Sequence, residues 1–79
     1  MSCMEKLNEL LKGIRPDVDF ENETALIDDG ILDSFDVVSI ISEIDDVFGV
    51  QIRINELDPE NFNSVESIGN LIQKLHNNG

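Results

Sequence analysis

The sequence predicts an all-α fold, a small four-helix bundle. Three longer helices and a short third helix make it up, with a long loop between helices 1 and 2. Three observations predict this. Apolar residues recur at helical spacing in three separate segments. Those segments are bracketed by residues that start and stop helices. The one stretch that alternates like a strand is short and has no partner to pair with.

Helix 1 is expected from about Cys3 to Lys12 or Gly13. Ser2, with Glu5 three residues later, makes a capping box. Met4, Leu7, Leu10, Leu11 and Ile14 follow in period. Gly13 offers a stop and Pro16 enforces it. From Arg15 to Asp33 no period persists, which is long for a connection. Val18, Phe20, Leu26, Ile27, Ile31 and Leu32 lie scattered along it, so the loop is expected to be pinned across the core. Asp28-Asp29-Gly30 is a turn signal within it.

Helix 2 is expected from Ser34 to Phe48, with Gly49 as its stop. Ser34 is the natural N-cap, because its hydroxyl can accept a first-turn N–H. Val37, Val38, Ile40, Ile41, Ile44, Val47 and Phe48 project onto one half of the helix. Ser39, Ser42, Glu43 and Asp46 project onto the other. Phe35 breaks the pattern by falling on the polar side near the helix start.

Val50-Gln51-Ile52-Arg53-Ile54 reads as an extended connector with Ile52 turned inward. Asp58-Pro59 is a cap followed by a first-turn proline, predicting a helix of one or two turns up to Phe62. Ser64 caps the last helix, where Val65, Ile68, Leu71, Ile72 and Leu75 keep period. Asn77-Asn78-Gly79 is expected to fray.

With 79 residues the chain is expected to form one small domain, 1–79. A hydrophobic content of 41% supports a compact core and argues against disorder. Charge is the loudest global feature. Seventeen acids face five bases, a net charge of -12. Between Arg15 and Arg53 lie 11 of those acids and no Lys or Arg. Such a surface repels nucleic acid and anionic membranes and attracts basic partners. The plainer reading is that acidity only keeps the protein soluble. Cys3 is alone, so no intrachain disulfide forms. No apolar run approaches the roughly 20 residues that span a bilayer, and the acidic N-terminus is not a signal peptide. A cytoplasmic monomer is expected.

Catalysis finds no support. A nucleophilic Ser34 needs a base within reach, yet the only histidine, His76, lies near the C-terminal end. No Gly-x-Ser-x-Gly elbow surrounds the serine. A calcium loop with Gly30 at its sixth position would begin at Ala25, which is no ligand, and end at Asp36 rather than Glu. No metal is therefore expected. What remains is a binding module.

Leu26-Ile27-Asp28-Asp29-Gly30-Ile31-Leu32-Asp33-Ser34-Phe35-Asp36, followed by a periodic helix ending Val47-Phe48-Gly49-Val50, resembles the acyl and peptidyl carrier protein family. The likeness covers essentially the whole chain. It implies that Ser34 carries a covalent 4′-phosphopantetheine arm, whose terminal thiol holds a cargo as a thioester. It implies as partners a phosphopantetheinyl transferase, an adenylating acyl- or aminoacyl-activating ligase, and a downstream acyltransferase or synthase. It also implies that Asp33 and Asp36 help those partners recognise the carrier. Phe35, Ser39, Ser42, Glu43 and Asp46 complete the expected docking face. Fatty-acid carriers usually have Leu where Phe35 stands. The pattern Val50 to Asp58, with Phe62 beyond, looks closer to D-alanyl carrier proteins and stand-alone aminoacyl carriers. Fatty-acid, polyketide and nonribosomal peptide synthesis stay open as pathways. The competing class is a small acidic helical adaptor without a prosthetic group, in which Ser34 is only a cap.

Overall fold

Apolar stripes that cannot be buried within one helix force the helices together. The computed structural model describes residues 3–78. Its helices are α1 (Cys3–Ile14), α2 (Ser34–Phe48), α3 (Pro59–Phe62) and α4 (Val65–Asn78). A single 3₁₀ turn, Ile54–Glu56, lies between α2 and α3. No strand occurs among the described residues. α1 packs on α2 and on α4, and α3 packs on α4. The expected bundle, with its long first loop, is what forms.

The core is drawn from every helix. Leu7, Leu10 and Leu11 come from α1, Ile40 and Ile44 from α2, Phe62 from α3, and Val65, Ile68, Leu71 and Ile72 from α4. The long loop adds Val18, Phe20, Leu26 and Leu32, and the connector adds Val50. The loop is thus pinned across the core as its scattered apolar residues predict. Its backbone closes on itself in short turns. Asp29 N–H donates to Ala25 C=O, Gly30 N–H to Ile27 C=O, and Leu32 N–H to Leu26 C=O. Ile52 is half-buried, as expected of the connector.

Several details differ from the expectation. α1 runs through Gly13 to Ile14, because one glycine costs a helix only about 1 kcal/mol. Pro16 is what ends it. The proposed Ser2 cap lies outside the described residues. α4 continues through Asn77 to Asn78. Its start is as predicted, with Ser67 N–H donating to Ser64 Oγ at 3.1 Å. Val38 and Val47 are not core, being 63% and 46% exposed. At 100° per residue they mark the two edges of the apolar half, and only the central arc of roughly 100° meets the core. Gly69 allows α1 and α4 to approach closely. A Cβ there would stand 2.8 Å from Met4 Sδ.

Candidate functional site

The head of α2 is built by its own acids. Asp33, not Ser34, is the N-cap. Asp33 Oδ1 accepts the Asp36 N–H at 2.9 Å, and Asp36 Oδ2 accepts the Asp33 N–H at 3.2 Å. This reciprocal box satisfies two first-turn donors at once. Ser34 therefore sits one position inside the cap, at the first helical residue. The expectation that its hydroxyl is the cap is corrected. Both residues can cap, but a carboxylate three positions before another carboxylate closes the box in both directions. A lone Ser34 could not do so, because Val37 stands three positions after it.

Freed of capping, the Ser34 side chain is exposed, and its hydroxyl makes no hydrogen bond among the described residues. The N–H groups of Ser34 and Phe35, as first-turn groups, have no intrahelical acceptor. Phe35 projects outward and is 85% exposed.

One cation stands at this turn. Arg15, just beyond α1, donates from Nη1 to Asp36 Oδ2 and to the Ile31 carbonyl, the latter at 3.3 Å. Its Nε and Nη2 hold Asp17 in a fork, at 3.1 and 2.9 Å. Asp17 first, then Asp36, bind the guanidinium and raise its already high pKa. In return the Arg15 hydrogen bond, helped by an N–H of the local backbone, holds the Asp17 carboxyl below its ordinary range. Asp36 is thereby drawn inward, its side chain only 14% exposed.

A second fastening lies on the other side of the loop. Asn63, at the corner between α3 and α4, uses its backbone and side chain together. Its carbonyl accepts Leu26 N–H at 2.9 Å. Its Oδ1 accepts Ile27 N–H and Asp28 N–H at 3.0 and 3.1 Å. Its Nδ2 donates to Asp28 Oδ2 at 3.1 Å. The loop that leads to Ser34 is thus tied both to the residue that follows α1 and to the α3–α4 corner.

Of the residues expected to face partners, Asp33, Phe35, Ser39, Ser42, Glu43 and Asp46 are exposed. On a helical projection Phe35, Ser39, Ser42, Glu43, Asp46 and the exposed Val38 share one strip about 140° wide. Asp36 stands apart, half-buried beneath Arg15. Sequence reasoning missed Val38, Arg15 and Asn63. It also missed Ile54 and Leu57 beyond α2, which are exposed apolar residues. Arg15 had a signal, as the last base before a run of acids. Asn63 had none, because its partners lie 35 or more positions away. A cleft of about 540 Å³, lined by Met4, Leu7, Phe48 and Ile72 among others, lies at the Phe48 end of α2. That end is roughly 20 Å from Ser34 along the helix, so the cleft is no part of this site.

A helical bundle that offers one free serine hydroxyl at the head of an acid-bearing helix has the layout of a carrier protein. Comparison with known proteins bears on that class directly. No family model matches the chain. Curated relatives do. The chain is 33% identical over 76 residues to the D-alanyl carrier protein of Streptococcus equi subsp. zooepidemicus, covering 95% of this chain and 96% of the relative. It is 31% identical over 72 residues to that of Bacillus velezensis, covering 90% and 92%. It is 33% identical over 61 residues to that of Streptococcus uberis, covering 77% of each. The chain belongs to the D-alanyl carrier protein family.

Proposed function

We propose that the protein is a stand-alone, phosphopantetheine-dependent carrier, and that Ser34 is the attachment site. The observation that carries this reading is the division of labour at the head of α2. Asp33 and Asp36 cap the helix between them, which leaves the Ser34 hydroxyl exposed and unbonded. The residues present suit the group. A phosphodiester joined at this position would lie beside first-turn N–H groups and the positive end of the helix macrodipole. When bound, the arm supplies a thiol that holds an acyl or aminoacyl cargo as a thioester. The names of the relatives favour a D-alanyl cargo.

In this reading the protein's own residues present rather than react. The strip headed by Phe35 and Val38, with Ser39, Ser42, Glu43 and Asp46, docks in turn on a transferase, an adenylating ligase and a downstream acyltransferase. Its acids draw basic surfaces and speed encounter. Asp33 stands at the edge of that contact, and Asp36 supports it from within. No helix among the described residues is long and apolar enough to cross a membrane, which accords with work in the cytoplasm.

The test is incubation with coenzyme A and a phosphopantetheinyl transferase, followed by intact-mass measurement. The wild-type protein gains the mass of one arm, and Ser34→Ala gains nothing. A wild-type protein left unmodified by several such transferases would rule the reading out and favour the adaptor class instead. Ser34→Ala that is still modified would move the site elsewhere.

A further inference from the structure

We infer that Arg15 is the positioning residue of Ser34, and this rests on the reading of Ser34 as the attachment site. Ser34 holds nothing with its own side chain, so its direction is set by the backbone on either side. Upstream, the Ile31 carbonyl accepts from Arg15 Nη1. Downstream, the Asp36 carboxylate accepts from the same nitrogen. That carboxylate also accepts the Asp33 N–H. One guanidinium nitrogen thus joins residue 31 to residue 36 across the serine. Asp17, bound to Nε and Nη2, fixes the plane from behind.

The contact is specific to a guanidinium. Arg15 uses three nitrogens to hold three partners, Asp17, Asp36 and the Ile31 carbonyl, and its side chain is only 29% exposed. A lysine could supply the charge but not the fork together with the bridge. Nor is Arg15 one cation among many, since no Lys or Arg follows it before Arg53. Without it, Asp17 and Asp36 lose the positive charge that, among the described residues, is paired with them. The first turn of α2 then fluctuates, and only part of the population presents Ser34 in the attackable arrangement. A partner that binds only that fraction shows a weakened apparent affinity in proportion.

The experiment is the steady-state kinetics of arm transfer from coenzyme A. Arg15→Gln is expected to raise KM for the carrier about 10-fold and to leave kcat within about two-fold, because the bound complex restores the turn. Arg15→Lys should recover less than half of that loss. A purely structural role would lower folded population and leave KM of the folded fraction alone, so circular dichroism fixes the folded concentration for each variant. An unchanged KM in folded Arg15→Gln overturns the inference, as does full recovery by lysine. If Arg15→Gln does not fold, Asp17→Asn, which frees only the guanidinium plane, must show the same KM shift at smaller size. If the wild type accepts no arm, the attachment reading fails on its own. The positioning claim is then decided by amide hydrogen exchange at residues 33–37, which must quicken in Arg15→Gln while exchange in α4 does not.

Discussion

Asp33 and Asp36 cap α2 reciprocally, each carboxylate accepting the backbone N–H of the other. The serine between them is bypassed. The helix cap and the free serine hydroxyl are therefore carried by different residues within four positions of chain. Asp33→Ala should cost about 1 kcal/mol of folding stability, the ordinary loss for a cap. Ser34→Ala should cost less than about half that amount, since an exposed surface substitution usually does. Urea melts of the two variants decide the matter, and a larger loss in Ser34→Ala would return the cap to the serine.

Two glycines make an opposed pair. Gly49 closes α2 in the left-handed region, at φ 67°, with its N–H donating to Asp45 C=O. Gly13 lies inside α1 with nothing near a would-be Cβ. Gly49→Ala should destabilise by about 1 kcal/mol, because a Cβ is strained there. Gly13→Ala should stabilise by about 0.5–1 kcal/mol through helix propensity. Thermal melts should move in opposite directions, and a shared direction would contradict the backbone assignment at one site.

Asn63 and Asp28 form a pair that can be exchanged. Asn63→Asp keeps the oxygen that accepts Ile27 and Asp28 N–H but sets a second carboxylate against Asp28. A loss of about 1–2 kcal/mol is expected for the missing donor and the repulsion. Adding Asp28→Asn restores a donor facing a carboxylate, and most of the loss should return. Denaturation of the two variants gives the coupling; a double variant no more stable than Asn63→Asp would mean that the clasp contributes nothing.

Asp17 sets a pH dependence. Its folded pKa is depressed by Arg15, so its stabilising contribution is present above the ordinary carboxylate range and lost as pH falls through the folded value. The stability gap between wild type and Asp17→Asn should be level from about pH 7 to 5 and close below about pH 4, near the unfolded value. The carboxylate is largely exposed, so the gap is small. A gap that widened on acidification would have the wrong sign for this pair.

Much of this was legible in the chain. The 3.6-residue period and the stop at Gly49, signals that act locally, placed α2 at Ser34 to Phe48, while the cap fell one residue earlier, on Asp33. Phe35 was legible as an outward residue for the same reason. Val38 and Val47 were not, because periodicity gives the direction of a side chain but not how wide a neighbour's footprint will be. Which of two adjacent capping residues takes the cap depends on what stands three positions later, a comparison that the sequence did contain. The grip of Arg15 on Ile31 and Asp36, and of Asn63 on residues 26–28, joins segments brought near only by the packed core. No local pattern encodes such pairings.

The clasp at Asn63 also sets an order of events. Leu26 and its neighbours find their acceptors on a residue made well after Ser34 itself. The acceptors for the Leu26, Ile27 and Asp28 N–H groups are therefore in place only once the chain has reached position 63 and the α3–α4 corner has formed. The stretch of loop that leads to Ser34 is thus fastened by the part of the chain that follows α2 as well as by the part that precedes it.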